Sequence, residues 1–107
     1  MRILFDQGTP VPLRSALTGH TVVTAFELGW HNLTNGDLLE AAEADDFEVL
    51  VTTDQRLKYQ QNLAQRKIAV LVLTTTSWLR IRRDVSMVAD AIDSLKAGKY
   101  RELIFPD

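Results

Sequence analysis

Four runs of Val, Ile and Leu constrain this chain more than any other feature. They cover residues 2–5, 21–25, 47–51 and 68–73, and most are nearly continuous rather than alternating. Alternation marks a strand with one wet face. Continuity marks a strand covered on both faces, as in a parallel sheet between two helical layers. A fifth, weaker run covers 102–105. Helical patterns fill the gaps. Residues 11–17 can form a short helix with Pro10 or Pro12 in its first turn, ended by Gly19. Thr34 or Asn35 can cap a helix that runs through Asp37, Leu38, Leu39, Ala41 and Ala42 to Asp45. A third helix covers about 55–65. In 84–96, Val85, Val88, Ala89, Ile92 and Leu95 recur at helical spacing before Gly98. This order predicts a single-domain three-layer α/β sandwich over residues 1–107, with a mainly parallel sheet of four to five strands. Its connections are expected to be right-handed, with all strand carboxyl ends along one edge.

Composition narrows the chemistry. The chain has 107 residues, 46% of them hydrophobic, which suits one domain with a sizeable core. It has no cysteine. Disulfides, thiolate metal sites and cysteine nucleophiles are thereby excluded, and a cytoplasmic protein is expected. No apolar run approaches the length of a membrane span, and residues 1–6 lack the apolar region of a secretory signal. The net charge of -2 hides an asymmetry. Residues 15–55 carry eight acids and no Lys or Arg, whereas 56–83 carry seven Lys or Arg and no acid. Such a split gives one surface for cations and another for anions, or simply two solvated faces.

Two apolar runs end alike. Ile3-Leu4-Phe5 leads into Asp6, and Val49-Leu50-Val51-Thr52-Thr53 leads into Asp54. Ligands of open α/β sheets bind outside the strand carboxyl ends, so neighbouring strands would bring both carboxylates to one crevice. Two such carboxylates need a proton or a cation at neutral pH. Hard oxygen donors favour Mg²⁺ or Mn²⁺. The competing role for each Asp is to cap the next turn. Asp37 lies in a helical first turn, where an acid also suits the dipole, and Glu40 follows on nearly the same face. His20, after Gly19, is expected at the surface, and His31, beside Trp30, in a loop. Ser77 and Thr74 to Thr76 read as a loop and helix cap. Arg80, Arg82 and Arg83 beside Trp78 form a basic cluster able to hold a phosphate backbone or to sit in water. Trp78, Leu79 and Ile81 are an interface mixture, for a homodimer or a partner helix, or else core.

The string Ile3-Leu4-Phe5-Asp6-Gln7-Gly8-Thr9-Pro10 resembles the opening of the small PIN-like proteins grouped as the DUF5615 family, related to the Mut7-C type. Further motifs follow in the same order: Gly19-His20-Thr21-Val22, then Thr34-Asn35-Gly36-Asp37-Leu38-Leu39, then Val49-Leu50-Val51-Thr52-Thr53-Asp54. The resemblance covers about residues 2–75. It implies a PIN-like fold and a metal-dependent ribonuclease, with toxins of toxin–antitoxin pairs among the relatives and hence an antitoxin protein as a partner. On the matching positions, Asp6, Asp37 and Asp54 are the catalytic and metal-binding acids. Two positions depart from the pattern. Gln7 stands where an acid or Asn is frequent, and Lys58 falls near a further acid of many members.

Three functions compete. The first is a Mg²⁺- or Mn²⁺-dependent endoribonuclease acting on RNA, with Arg56 and Lys58 binding the substrate phosphate. The second is a non-catalytic PIN-like module that binds RNA or a protein, favoured by the missing fourth acid. The third is a phospho-receiver, with Thr74 after a later strand. Asp6 has no adjacent second acid, which argues against it.

Overall fold

The computed structural model describes residues 1–60 and 62–106. Its five strands are β1 (Arg2–Phe5), β2 (Thr21–Thr24), β3 (Val49–Thr52), β4 (Ala69–Leu73) and β5 (Tyr100–Leu103). They form one sheet in the order β2-β1-β3-β4-β5, and every pairing is parallel. The α-helices are α1 (Asn35–Ala44), α2 (Leu57–Gln60), α3 (Trp78–Ile81) and α4 (Val85–Ser94). The expected three-layer α/β sandwich is thus observed, with five strands.

Burial on both faces explains the continuous apolar runs. Ile3, Phe5, Val49, Val51, Leu71 and Leu73 pack on one face, against Leu13, Ile81, Val88 and Ile92. Leu4, Leu50, Val70 and Val72 point to the other, against Leu38, Leu39 and Ala42 of α1 and Leu57 of α2. Side chains of a strand alternate between faces, so each needed an apolar residue at every position.

The crossovers do not all share one hand. The steps β2 to β3, β3 to β4 and β4 to β5 all move the same way across the sheet. The first two cross on the face of α1 and α2, the third on the opposite face, through α3 and α4. With parallel strands, that gives the last crossover the opposite hand, against the expectation of uniformly right-handed connections. The reason lies in coverage. Without α3 and α4, that face would have only the 3-10 helix Val11–Ala16 from the β1–β2 connection. One such helix is too short to cover the sheet, and α4 packs beside it.

Other differences are local. Of the helix expected over 11–17, Val11–Ala16 form that 3-10 helix, with proline in its first turn. The helix expected over 55–65 is two pieces, α2 and a 3-10 turn at Leu63–Gln65; Gln61 within it lies outside the described residues. The last strand begins at Tyr100, earlier than the apolar run at 102–105. Arg101 and Glu102 interrupt its apolar pattern, and its neighbour β4 lies on one side only. The short α3 was not marked by periodicity, although Ser77 caps it by accepting the Arg80 amide at 3.4 Å. Among the described residues no helix is long and apolar enough to cross a membrane.

Candidate functional site

The strand order reverses between β1 and β3. The chain leaves β1 toward β2 on one side and returns to β3 on the other. Such a switch point opens a crevice at the carboxyl ends of its strands. Asp6 follows β1 and Asp54 follows β3, so both expected acids arrive there.

Local bonds hold each carboxylate. Asp6 opens a tight turn in which its carbonyl accepts the Thr9 amide at 3.1 Å. Gly8 occupies the third position with φ of 94°, a conformation a type II turn requires and glycine tolerates. A Cβ at Gly8 would lie 2.9 Å from the Thr53 hydroxyl, so the turn also packs closely on the end of β3. The buried Thr9 hydroxyl donates to the Val51 carbonyl at 3.0 Å and ties the turn to β3. Asp6 Oδ1 accepts the Gln7 amide at 2.8 Å.

Thr52 joins the two acids. Its side chain is fully buried. Its hydroxyl donates to Asp6 Oδ2 at 2.8 Å and accepts the Asp54 amide at 3.1 Å. Asp54 Oδ1 accepts the Arg56 amide at 2.9 Å, and Oδ2 accepts Asn35 Nδ2 at 2.9 Å. Asn35 is the site residue that sequence reasoning missed. It was weighed as a cap for α1, but Thr34 takes that role and accepts the Asp37 amide at 3.4 Å. Asn35, one residue further along, is thereby released to reach Asp54.

The environments of the two acids differ. Burial pushes the Asp6 carboxyl above its ordinary range; the bonds from Thr52 and Gln7 oppose this, and the charge of Asp54 adds to it. Asp54 is held below the usual range, first by the Asn35 hydrogen bond, then by the Arg56 amide and charge, against some desolvation. The charge of Asp54 thus reaches Asp6, and most of the pair's donors are neutral. Among the described residues the cation in ion-pair range of Asp54 is Arg56, whose Nε lies 3.9 Å from Oδ1 on an 81% exposed side chain.

The remaining expected residues sit as follows. Asp37 is exposed on the first turn of α1, two residues after Asn35. Among the described residues no group of three or more acids or histidines is assembled to hold a metal ion. Lys58 is turned away to β5, where Nζ donates to Glu102 Oε1 at 2.6 Å, the atom that also accepts Tyr100. The basic cluster is divided: Arg82 and Arg83 are exposed, whereas Arg80 is half-buried and donates to the Phe105 carbonyl at 2.6 Å. Of the apolar residues among them, Ile81 is core, Trp78 packs against the core and Leu79 is 64% exposed. The Thr74 hydroxyl donates to the Leu103 carbonyl at 2.7 Å, a sheet tie that leaves little for a receiver role. His20, expected at the surface, is half-buried and bridges the Met1 amine at 3.2 Å and Asp93 at 3.1 Å. His31 is exposed and faces the Phe26 ring, as its loop position predicted.

A cavity of about 410 Å³ opens beside Asp6, between the ends of β1 and β2, and includes Gly8, Val11, Arg14, Phe26 and Glu27 in its walls.

The donor set can be tested against the expected ion. Mg²⁺ keeps several waters and ordinarily takes one or two protein carboxylates, completing its shell with substrate phosphate. Asp6 and Asp54 offer that number, both are hard oxygens, and Asp6 is a half-buried acid held by the neutral Thr52 hydroxyl and Gln7 amide. The pair fits one such ion. Comparisons of the chain with protein-family models, with curated proteins and with solved structures found no match.

Proposed function

We propose that this protein is a metal-dependent endoribonuclease of the PIN-like class. One observation carries the proposal: two aspartates at the switch point are tied through the Thr52 hydroxyl, which donates to the Asp6 carboxylate and accepts the Asp54 amide, and their carboxylates are held mainly by neutral donors. Acids placed for stability are commonly paired with cations; here Asp54 has only the exposed Arg56 at 3.9 Å, and Asp6 is held by the neutral Thr52 hydroxyl and Gln7 amide.

Asp6 and Asp54 would hold Mg²⁺ or Mn²⁺ directly, and Asp37 would reach it through water. The ion, when bound, supplies charge neutralisation and an activated water. Thr52 fixes the orientation of Asp6, and Asn35 that of Asp54, as outer groups commonly do for metal-binding carboxylates. The exposed Arg56 guanidinium beside Asp54 stabilises charge on the scissile phosphate. Lys58 would have to leave Glu102 to help, so Arg56 is the main cation of the proposal. A second function, an RNA- or protein-binding module that does not cut, is favoured by the exposed position of Asp37.

The test is incubation with end-labelled single-stranded RNA, with Mn²⁺ or with EDTA. Cleavage is expected with Mn²⁺ only, lost in Asp54→Asn and slowed about 10- to 100-fold in Asn35→Ala. RNA that is bound but never cut would favour the module. Cleavage that survives EDTA or Asp54→Asn would contradict the proposal.

A further inference from the structure

The loop after β2 is built with more care than a connector needs. Thr24-Ala25-Phe26-Glu27 forms a capping box: the Glu27 amide donates to the Thr24 hydroxyl at 3.1 Å, and the Thr24 amide to Glu27 Oε1 at 2.9 Å. Its far end closes as a Schellman motif, with Trp30 N donating to Ala25 O at 2.8 Å and Gly29 N to Phe26 O at 3.0 Å. Gly29 takes the left-handed conformation this requires, with φ of 74°. Ala25 is buried and Trp30 packs edge-on to Phe47 at 6.2 Å, so the loop is pinned to the core. Glu27 is also bound by Arg14 at 2.5 Å.

This rigid loop presents an aromatic ring to solvent. Phe26 is 70% exposed and lines the cavity that Asp6 also lines. The His31 ring lies 5.2 Å from it. Val11, 56% exposed, and the buried Phe5 are further apolar residues of the wall. The charged residues of the wall are Asp6 and the Arg14–Glu27 ion pair, so the acid without a compensating partner in the wall is Asp6. Phosphates and acidic peptides are therefore disfavoured here. A flat, neutral ring carrying amino groups is favoured: its face meets Phe26, and its donors meet the Asp6 carboxylate. Because Asp6 belongs to both the cavity and the proposed metal site, a ring seated here would be joined to a phosphate beside Asp6 and Asp54.

We infer that the cavity between β1 and β2 is a nucleobase subsite, in which Phe26 stacks an unpaired base next to the scissile phosphate, with a preference for amino-bearing bases over uracil. This rests on the ribonuclease proposal. It adds a binding determinant in the loop after β2, remote from Asp6 and Asp54 in sequence. Stacking on an aromatic side chain is the usual means of holding single-stranded bases.

The experiment measures binding of short single-stranded RNA in EDTA, so that no cleavage intervenes, with a 2-aminopurine base as reporter. Phe26→Ala is expected to weaken binding by about five- to a hundredfold and to remove the reporter's quenching. Phe26→Trp should restore both, and Phe26→Leu, apolar but not aromatic, should not. Replacing the reporter by an abasic nucleotide should weaken wild-type binding and leave Phe26→Ala unchanged. Phe26 is exposed, so these variants should unfold at the wild-type denaturant concentration. Wild-type RNA binding that is indifferent to Phe26→Ala overturns the subsite and leaves the ribonuclease proposal standing. Absence of RNA binding by every form, in EDTA and in Mn²⁺, overturns both. Loss of a dimer in light scattering by Phe26→Ala, with RNA binding intact, would assign the ring to a second copy of the chain and likewise overturn the subsite.

Discussion

The two edges of the sheet treat their acids differently. At the amino edge, Glu43 accepts Arg66 at 2.9 Å, the Lys67 amide at 2.6 Å and the Ile68 amide at 3.4 Å. Asp45 accepts Arg2 at 2.7 Å, and the Arg2 guanidinium lies 4.1 Å from the Phe47 ring centre. Each of these acids is neutralised by a cation and locks a strand start. At the carboxyl edge, Asp6 and Asp54 are oriented by Thr52, Asn35 and backbone amides, and Arg56, the cation in ion-pair range of Asp54 among the described residues, is long and exposed. Desolvation works on Glu43 too, yet Arg66 and the two amides outweigh it and hold the carboxyl low. On Asp6, desolvation wins. Burial of an acid is thus not the distinguishing feature. What the surroundings return to it is, and at Asp6, unlike Asp54, that return is incomplete in a way a divalent cation would complete.

The largest stability loss should come at the amino edge. Glu43→Ala removes a half-buried partner of Arg66 and two amides, and should cost about 1.5–3 kcal/mol in urea unfolding. A loss below about 0.5 kcal/mol would erase the contrast between the edges. Next, Gly8→Ala imposes a side chain on a left-handed turn and should cost about 1–2 kcal/mol. Because the turn presents Asp6, it should also weaken the response to Mn²⁺; an unchanged response would show that the turn does not position the acid.

A smaller effect, of opposite sign, is expected for Asp6→Asn. Without metal, it should unfold at the same or a higher urea concentration than wild type, since it removes a charge that burial and Asp54 disfavour. The pH dependence has a definite direction. Asp6 binds its proton more tightly folded than unfolded, so wild-type stability relative to Asp6→Asn should fall as pH rises from the ordinary carboxylate value of 3.8 to its raised folded value. Glu43 is depressed, so its contribution is present above its ordinary value of 4.5 and is lost as pH falls through its lower folded value. Parallel pH profiles for Asp6→Asn and wild type would contradict the burial argument.

Much of this was legible in the chain. Runs such as Val49 to Val51 are apolar at every position because both sheet faces are covered, and a covered strand leaves that mark wherever it lies. Asp6 and Asp54 stood out because each ends such a run. Other features depended on distant partners. Asn35 gives no signal of its own, since its role follows from Thr34 taking the cap and from α1 lying beside the end of β3. Lys58 reads as a phosphate ligand until β5 brings Glu102 to it. Arg80 reads as surface until the segment after β5 offers the Phe105 carbonyl. The hand of the last crossover depends on which face lacked a cover, a property of the whole sheet. The wall around Phe26 joins the 3-10 helix, the turn after β1 and the loop after β2, which meet only on folding.

The most direct test of the central claim, that Asp6 and Asp54 form one cation site, is thermal unfolding during a Mn²⁺ titration, compared among wild type, Asp6→Asn, Asp54→Asn and Asp45→Asn. An ion that binds only the folded state at ten times its dissociation constant stabilises by about 1.4 kcal/mol, or about 5–10 °C for a domain of this size. Wild type and Asp45→Asn should both show this saturable rise, whereas Asp6→Asn and Asp54→Asn should each lose it. A wild-type melting temperature indifferent to Mn²⁺, or a full response in either carboxyl-edge variant, would contradict the shared site.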